Sequence, residues 1–328
     1  MSRRFLVTGG AGYVGSHLVA ALRDRGDTAV VLDNLSIGHH QAVPDDVQLI
    51  EADLGDAAAV DAVLAQGPWD AVFHFAALSQ VGESMREPLR YLMENAGNGI
   101  RLVDACVRHG IGRFVLSSTA ALFDATGDAP IPADAPIDPQ SAYGESKWII
   151  ERALHWASQV HGMRHACLRY FNAAGADPQG RLGEDHRPET HLMPLSIDAA
   201  LGRRPPLTVF GSDYPTRDGT CVRDYIHVTD LAAAHLLAFD AMVEGDVYWN
   251  LGNGAGYSVM EVLLAVERVS GRPVPHRVSE RRSGDAASLV ASAEPALKAG
   301  WQPKYAGLDD IVRTAFLWRQ AHPTGYGN

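Results

Sequence analysis

The feature that most constrains the fold is a glycine-rich turn between an apolar strand and a helix near the start of the chain. RFLVTG is predicted to form the first strand, and YVGSHLVAALRDRG the helix that follows it. Between them Gly9, Gly12 and Gly15 recur in VTGGAGYVGSH. Glycine there lets backbone N–H groups approach a pyrophosphate at the positive end of the helix. The turn therefore predicts a dinucleotide site, and its simpler alternative is an ordinary tight turn.

Short apolar runs alternate with helical patterns through the first half of the chain. Further strands are predicted at residues 28–34, 47–54, 70–77, 112–119 and 164–172, with helices near 88–109 and 141–161. Apolar strands that alternate with helices form parallel sheets covered on both faces. The predicted fold class is α/β, a Rossmann-like doubly wound parallel sheet with a smaller C-terminal α/β domain.

The composition of the chain changes after Asn172. Residues 173–191 are rich in glycine, charge and turn-forming residues, which is typical of functional loops. We therefore predict an NAD-binding domain over residues 1–174 and a substrate-binding domain over 175–328. Segments around 220–253, which contain a helical pattern and the short strand VYWNLG, are expected to pack back on the first domain.

Charge and cysteine content narrow the possible partners and compartments. The formal net charge of −11 over 328 residues argues against a nucleic-acid or anionic-membrane partner. Cys106, Cys167 and Cys221 have no CxxC spacing, which argues against a disulfide framework and fits a reducing cytoplasm. No run of 18 apolar residues occurs, and no cleavage motif follows the two N-terminal arginines, so neither a membrane span nor a signal peptide is predicted.

Two carboxylates follow the second and third predicted strands. Asp33 ends VVLD, where a carboxylate would accept both hydroxyls of an adenosine ribose and repel a 2′-phosphate, so it favours NAD over NADP. The alternative interpretation of Asp33 is an ordinary turn residue at the end of a strand. Asp53 and Leu54 lie where an adenine edge would be, although alone this stretch would be interpreted as a turn.

Tyr143 and Lys147 lie four residues apart in SAYGESKW, on one face of a helix that Ser141 is placed to cap. A free tyrosine has a pKa of about 10 and is a poor base at neutral pH. A nearby ammonium group and a positively charged nicotinamide ring would favour its phenolate and make it a general base. Such a pair also occurs on ordinary exposed helix faces.

The segment LSSTAA strengthens the catalytic interpretation. Ser117, Ser118 and Thr119 follow the fifth strand, and open parallel sheets bind ligands beyond the carboxyl ends of their strands. A hydroxyl group there would orient a substrate hydroxyl towards Tyr143. The glycine turn, these hydroxyls and the Tyr–Lys pair, in this order, predict a nicotinamide-dependent enzyme.

Several longer segments resemble one family from about Phe5 to about Pro303. They are VTGGAGYVGSH, HFAALSQVGES, YGESK, LRYFNAAGA, THLMPL, VFGSDYPTRDGTCVRDYIHVTDLA and NLGNGAGYSVMEV. These segments resemble the extended short-chain dehydrogenases/reductases and, within them, the UDP-glucose 4-epimerase family. The resemblance implies a tightly held NAD, a UDP-sugar substrate and a reversible change of configuration at C4 of a UDP-hexose through a 4-keto sugar.

The resemblance also implies roles for individual residues. Tyr143 would remove the proton of the sugar 4-hydroxyl, Thr119 would hydrogen bond that hydroxyl, and Lys147 would tune Tyr143 and hold the nicotinamide ribose. The implied cofactor contacts are Gly9, Gly12, Tyr13, Val14, Gly15, Asp33, Asn34, Asp53, Leu54, Phe75, Ala76, Ala77, Asn95, Ser117, Tyr143, Lys147 and Tyr170. The implied substrate contacts are Thr119, Tyr143, Asn172, His191, Leu192, Thr208, Phe210, Arg223, Arg282, Asp285 and Leu289.

The resemblance also has implications for the oligomeric state and the sugar specificity. The resemblance implies a homodimer through the helices near 95–109 and 141–161. Leu289 falls where a large side chain closes the sugar pocket and a small one admits N-acetylated sugars, so UDP-N-acetylhexosamines and UDP-pentoses stay open as substrates. The chain departs from the family pattern at Ser79, Asn98 and Phe123-Asp124.

Three other functions fit the sequence less well than that of a 4-epimerase. A nucleotide-sugar dehydratase or decarboxylase needs carboxylates directly after the threonine, where this chain has Ala120 and Ala121. A non-catalytic NAD-binding sensor would be indicated by loss of Tyr143 or Lys147, and both are present. Fourteen histidines without an HExxH motif do not indicate a metalloenzyme, so no metal ligand is predicted.

Overall fold

The computed structural model describes residues 2–124, 129–282 and 286–327. Its strands are β1 Arg4–Thr8, β2 Thr28–Asp33, β3 Gln48–Glu51, β4 Ala71–His74, β5 Arg113–Thr119, β6 Arg164–Tyr170, β7 Asn172–Ala174, β8 Leu207–Phe210, β9 Val222–Arg223, β10 Tyr225–His227, β11 Val247–Leu251, β12 Tyr257–Ser258, β13 His276–Ser279 and β14 Ser288–Leu289. Seven of these strands form one parallel sheet in the order β11-β6-β5-β4-β1-β2-β3. The predicted α/β, Rossmann-like fold is confirmed.

The helices lie between and around these strands. They are α1 Tyr13–Asp24, α2 Ala57–Leu64, α3 Val81–Ser84, α4 Pro88–Tyr91, α5 Asn98–Arg108, α6 Ala142–His161, α7 Leu192–Ala200, α8 Val228–Ala241, α9 Val259–Ser270, α10 Glu294–Lys298 and α11 Leu308–Ala321. The predicted helix near 88–109 is one helical run, but its middle turn, Leu92–Gly97, is π-helical.

The first strand shows why the central sheet is covered on both faces. Successive side chains of a strand point to opposite faces. Phe5 and Val7 of β1 pack in a cluster with Leu18 of α1 and Phe239 of α8. Leu6 packs instead with residues of the α2, α5 and α6 layer. An unbroken apolar strand is therefore buried on both sides, and burial of each large side chain contributes roughly 1.5–3 kcal/mol.

The strand order fixes where a ligand can bind. The chain runs outward from β1 through β2 to β3 and then returns to place β4 on the other side of β1. The connections that leave β1 and β4 therefore diverge and open a crevice at the carboxyl edge of the sheet. Ligands of doubly wound sheets bind at this switch point.

The rest of the chain builds smaller sheets beyond this edge. β7 pairs with β10, β8 pairs with β13, and β9 lies between β12 and β14. A separate core forms where α7, α9 and α11 meet, and Ile197, Val262 and Ile311 are fully buried there. No helix in the described part of the chain is long and apolar enough to cross a membrane.

Candidate active site

The glycine turn after β1 is shaped by close backbone contacts. A Cβ atom on Gly15 would lie 2.1 Å from the carbonyl oxygen of Gly9, and one on Gly9, whose φ is +72°, would lie 2.4 Å from the amide nitrogen of Ala76. Gly12 caps α1 without a side-chain hydrogen bond, so the first N–H groups of the helix, at Tyr13 and Val14, face the turn. This arrangement is an anion-binding site of the kind that holds a pyrophosphate.

Asp33 is fixed at the end of β2, beside this turn. Its two carboxylate oxygens accept hydrogen bonds of 2.9 Å from the backbone N–H groups of Ala11 and Leu35. Burial raises the pKa of Asp33, and those two hydrogen bonds partly offset the rise. The carboxylate is thus a preoriented acceptor with lone pairs left for ribose hydroxyls.

The residues predicted around the adenine also meet. Asn34 donates a hydrogen bond of 2.7 Å to Asp53, whose other oxygen accepts from the amide of Gly55 at 2.7 Å. Leu54 lies next to them, half-buried against the α2 side of the sheet. These contacts order the loop after β3.

The start of α6 is pressed against the segment that follows β5. Ser141 accepts a capping hydrogen bond of 3.1 Å from the amide of Gly144. A Cβ atom on Gly144 would lie 2.2 Å from the carbonyl oxygen of Ala121, so only glycine permits this approach. The close approach places the Tyr143 phenol near enough to the Thr119 hydroxyl for that hydroxyl to lower the pKa of Tyr143. The sequence-based prediction that these two residues act together is thus compatible with their positions.

The pKa of Tyr143 is governed by its surroundings in the fold. Burial raises this pKa, and the nearby Thr119 hydroxyl only partly offsets the rise. The Lys147 ammonium donates a hydrogen bond to the backbone carbonyl of Ser117 at 2.9 Å. Tyr143 therefore carries its proton at neutral pH and is in the acid form of a proton-transfer group.

Lys147 itself is 1% exposed. Burial lowers its pKa to about 8, although the charge of Glu151 acts in the opposite direction. The Ser117 hydroxyl hydrogen bonds to the hydroxyl of Tyr170 at 2.7 Å, and burial raises the pKa of Tyr170. Thr119, Tyr143, Lys147, Ser117 and Tyr170 thus line one edge of β5 and β6, and we call these five residues the reaction centre.

Sequence analysis missed the support behind the reaction centre. Ser118 points away from Thr119 and donates a hydrogen bond of 2.6 Å to Glu151, which pairs with Arg169 at 2.6 Å. Arg169 also donates to the carbonyl of Ala133 at 2.8 Å. The sequence carries one signal for Glu151, its spacing. Glu151 lies four residues after Lys147, as Lys147 lies four residues after Tyr143, so the three side chains share one face of α6.

The loop after β4 is held against the glycine turn and α6. The amides of Phe75 and Ala76 donate to the carbonyl of Thr8 at 2.8 and 3.1 Å, and Ala77 follows directly. Asn95, in the π-helical turn, brackets the backbone of Leu78 with hydrogen bonds of 2.8 and 2.9 Å. Its side chain therefore shapes the loop that is predicted to line the cofactor.

The predicted substrate residues form two groups beyond the sheet edge. Arg223 of β9 lies beside Leu289 of β14 in a parallel pair, and its guanidinium donates to the carbonyl of Ala286 at 2.9 Å. The amide of Asn172 donates to the carbonyl of Asp224 at 2.9 Å, on the same side.

The second group lies on β8 and just after β13. The guanidinium of Arg282 stacks 4.0 Å from the ring centre of Phe210, and Thr208 accepts from Arg277 at 3.3 Å. Asp285 lies outside the described residues. An aromatic ring with a stacked arginine offers a planar apolar face and a cation together, which suits a base next to phosphates.

His191 and Leu192 lie at the start of α7, at the far side of this cleft. Leu192 is half-buried against the α7 core. The Nδ1 of His191 is 2.8 Å from Glu184 and 3.1 Å from Glu189. Partial burial opposes the charged form of His191, but the two carboxylates outweigh it and raise its pKa to about 10. Substrate contact by His191 stays a prediction.

Comparisons with known proteins agree with this geometry. The chain matches the NAD dependent epimerase/dehydratase family over residues 5–252. It is 46% identical to the UDP-glucose 4-epimerase of Halalkalibacterium halodurans over 324 residues, 98% of this chain and 97% of that protein. It is also similar to the UDP-glucose 4-epimerase of Brucella ovis in complex with NAD, with a TM-score of 0.93, 42% identity and coverage of 96% of this chain and 98% of that one. The Bifidobacterium longum UDP-glucose 4-epimerase in complex with NAD⁺ and UDP gives a TM-score of 0.93 at 34% identity, covering 98% of this chain and 99% of that one.

Proposed function

The chain belongs to the NAD dependent epimerase/dehydratase family, and from that membership we propose that it is an isomerase that reversibly inverts C4 of a UDP-hexose, converting UDP-galactose to UDP-glucose. The observation that carries the proposal is that Tyr143 lies near Thr119 and one helical turn from buried Lys147, whose ammonium is held at the carboxyl end of β5. This arrangement is suited to moving the proton of one sugar hydroxyl while a hydride leaves the same carbon.

The residues of the first domain fit NAD. The uncapped start of α1 would hold the pyrophosphate, and Asp33 would accept the adenosine ribose hydroxyls and repel a 2′-phosphate. When bound, NAD takes a hydride from C4 of the sugar and returns it. Lys147 and Tyr170, at the carboxyl edge of β5 and β6, would orient the nicotinamide end.

The protein's own groups would handle the proton. Thr119 would hydrogen bond the 4-hydroxyl and align it with the Tyr143 oxygen. Beside a cationic ring the pKa of Tyr143 would fall and its own proton would leave to solvent. The resulting phenolate would accept the 4-hydroxyl proton and return it when the sugar is reduced again. Lys147 would stabilise the transient phenolate by its charge. The residues after Thr119 are Ala120 and Ala121, so no carboxylate follows that could eliminate water.

We further propose a division of labour between residues 1–174 and 175–328. The first segment would hold the cofactor and the proton-transfer groups. The second would hold UDP through Arg223, Arg282 and Phe210, with Leu289 beside the sugar. A firm grip on the nucleotide and a loose one on the sugar would let the 4-keto sugar turn over between the two hydride transfers.

The proposed assembly is a homodimer in the cytoplasm. In the described structure, large apolar side chains are exposed along α5, α6 and the π-helical turn: Met93 is 70% exposed, Ile100 42%, Trp156 57% and Val160 67%. Helices with such an apolar face are typical of subunit interfaces. Three free and buried cysteines support a reducing compartment.

The dimer is tested by Trp156→Ser. We expect this substitution to shift the protein towards monomer in light scattering coupled to gel filtration, while the far-UV circular dichroism stays unchanged. Leu264→Ser on α9, where the leucine is 47% exposed, is the matched control and should leave the mass unchanged. Equal masses for wild type and both variants at micromolar concentration would contradict an interface on α6.

The activity is tested by incubating the purified protein with UDP-galactose, without added NAD, and measuring UDP-glucose. We expect conversion by the wild type and a fall of about 10²–10⁴-fold in kcat for Tyr143→Phe, which loses the proton-transfer group. Tyr305→Phe, whose ring stacks on His227 at 4.3 Å, is the control and should retain activity. Failure of the wild type even with NAD supplied would exclude UDP-galactose and direct the assay to UDP-N-acetylhexosamines and UDP-pentoses, with Leu289 as the reason.

A further inference from the structure

Four metal-ligating side chains converge away from the reaction centre, in the loop that leads into α7. They are Glu184, His186, Glu189 and His191, and one ligating atom from each lies within 4.8 Å of the others. Successive members of the cluster are two, three and two residues apart and lie in an irregular loop, so the sequence contains no helical metal-binding motif at this place. The side chains of Glu184 and Glu189 are each 8% exposed.

The distances in this cluster suit a single small ion. The Nδ1 atom of His186 is 3.3 Å from a carboxylate oxygen of Glu184 and 3.5 Å from one of Glu189. In a tetrahedral site with ligand bonds of about 2.0–2.1 Å, neighbouring ligand atoms are about 3.4 Å apart. The Nδ1 of His191 lies closer, 2.8 Å from Glu184, and all four ligating atoms lie within 4.8 Å of one another, so small side-chain rotations would bring them around one ion.

Two of these atoms also lack a hydrogen-bond partner although they are buried. They are the Nδ1 of His186 and the Oε2 of Glu189, and both face the centre of the cluster. A buried polar atom without a hydrogen-bond partner destabilises the folded chain. The other oxygen of Glu189 is occupied, since it accepts from the amides of Thr190 and His191 at 2.8 and 2.9 Å. The orphaned atoms thus point to a missing ligand between them.

We propose that Glu184, His186, Glu189 and His191 bind one divalent transition-metal ion of the zinc class as a closed structural site. Imidazole nitrogens and carboxylate oxygens suit zinc and its neighbours, and four protein ligands leave no open position for catalysis. The ion would neutralise the two carboxylates and satisfy both orphaned atoms.

The segments around the cluster show which parts of the fold such an ion would hold together. His191 is the residue before α7, so the site fixes the start of the helix that carries Leu192. The ring of His186 lies edge-on to Tyr13 of the glycine turn, with ring centres 6.2 Å apart. Between these ligands, Asp185 accepts from the amide of Tyr326 at 3.0 Å. The metal would therefore tie together the cofactor turn, the substrate-side helix and the C-terminal segment.

The test measures metal content and melting temperature, neither of which depends on turnover. The full chain with its retained NAD is stripped with a chelator, titrated with zinc alone, passed through gel filtration and analysed for metal. We expect about one zinc per chain and a rise in Tm of about 5 °C when free zinc is ~100-fold above Kd. His186→Gln and His191→Gln should each weaken zinc retention at least about tenfold.

A matched control uses a histidine outside the cluster. His161→Gln, at the exposed end of α6, should bind zinc as the wild type does. No stoichiometric zinc in the wild type, or equal zinc in wild type and in both cluster variants, would overturn the proposal and leave a metal-free cluster of imidazolium–carboxylate ion pairs. His191 is half-exposed, so its variant keeps the test valid if His186→Gln does not fold.

Discussion

The two sides of the cleft proposed to hold the cofactor and the nucleotide sugar are built differently. On the proposed cofactor side, Gly15 lies in the first turn of α1, Asp33 ends β2 and Lys147 lies in the second turn of the 20-residue α6. Backbone contacts fix the positions of all three residues. On the proposed sugar side, Arg223 and Leu289 come from strands of two residues, and Phe210 ends a strand of four. In the proposed function, chemistry that requires a fixed geometry would thus use the large sheet and its helices, and binding that accommodates a turning sugar would use short elements.

The largest expected effect comes from disturbing the rigid side. Gly15→Ala would place a Cβ atom 2.1 Å from the carbonyl oxygen of Gly9, where only backbone movement can make room. We expect loss of retained NAD by more than about tenfold and a matching loss of activity, since overpacking costs about 1–3 kcal/mol. The NAD absorbance of the purified protein is the measurement.

Gly112→Ala is the control for that substitution. A Cβ atom on Gly112 would meet nothing within 4 Å, so this variant should keep its NAD. If Gly15→Ala kept the wild-type NAD content, the glycine turn would be as adaptable as the sugar side, and the contrast between the two sides would be wrong.

An intermediate effect is expected on the adaptable side. Arg282→Ala removes the guanidinium stacked on Phe210 and one cation near the proposed phosphates. We expect KM for UDP-galactose to rise roughly tenfold with kcat nearly unchanged, because substrate and transition state lose the same contact. Steady-state kinetics measure both constants.

Arg277→Ala gives the matched comparison, because Arg277 lies on β13, which ends three residues before Arg282. This exposed arginine contacts only Thr208 among the described hydrogen bonds, so its loss should affect KM little. A fall in kcat as large as that of Tyr143→Phe would instead show that Arg282 belongs to the fixed chemistry.

The smallest effect is a pH dependence of the rigid side. Burial lowers the pKa of Lys147 to about 8, so its ammonium form is present below that pH and is lost as pH rises through it. We expect kcat/KM to fall to about half near pH 8 and further above it. The free energy of unfolding changes in the opposite direction, because Lys147 binds its proton less tightly in the folded chain than in the unfolded one. Its charged form therefore destabilises the fold at every pH below about 8. This destabilisation is relieved as the pH rises from about 8 to the unfolded pKa of about 10.4.

Activity measured across pH 6.5–9.5, and again after return to pH 7, separates titration from unfolding. A flat profile through pH 9 would mean that the Lys147 charge is not needed or that its pKa in the working enzyme is higher.

The fold was predictable from the sequence where the signal is local. The glycine turn, the apolar alternation of β1 and the spacing of Tyr143 and Lys147 each specify structure within one or two turns of chain. The strand that pairs with β11 was not predictable, because the pairing of Tyr248 with Cys167 joins residues far apart in sequence. The π-helical turn at Asn95 depends on packing against Leu78 and Ser146, which no local pattern displays.

The site was predictable in its residue types and less so in its energetics. Burial raises the pKa of Tyr143, and how deeply a side chain is buried is known only after folding. The cluster of Glu184, His186, Glu189 and His191 has no helical metal motif in the sequence, because its side chains converge from a loop.

The late position of β11 has a consequence for biosynthesis. The strand that covers one side of β6 is completed at Leu251, 81 residues after β6 ends at Tyr170 (251 − 170). At ordinary translation rates those residues take roughly 4–16 s to be made. Throughout that interval β6 is an uncovered edge strand with buried-type side chains, which neighbouring nascent chains can pair with. The topology that builds the cleft therefore also sets the period in which a ribosome-bound chain carries an unpaired strand edge.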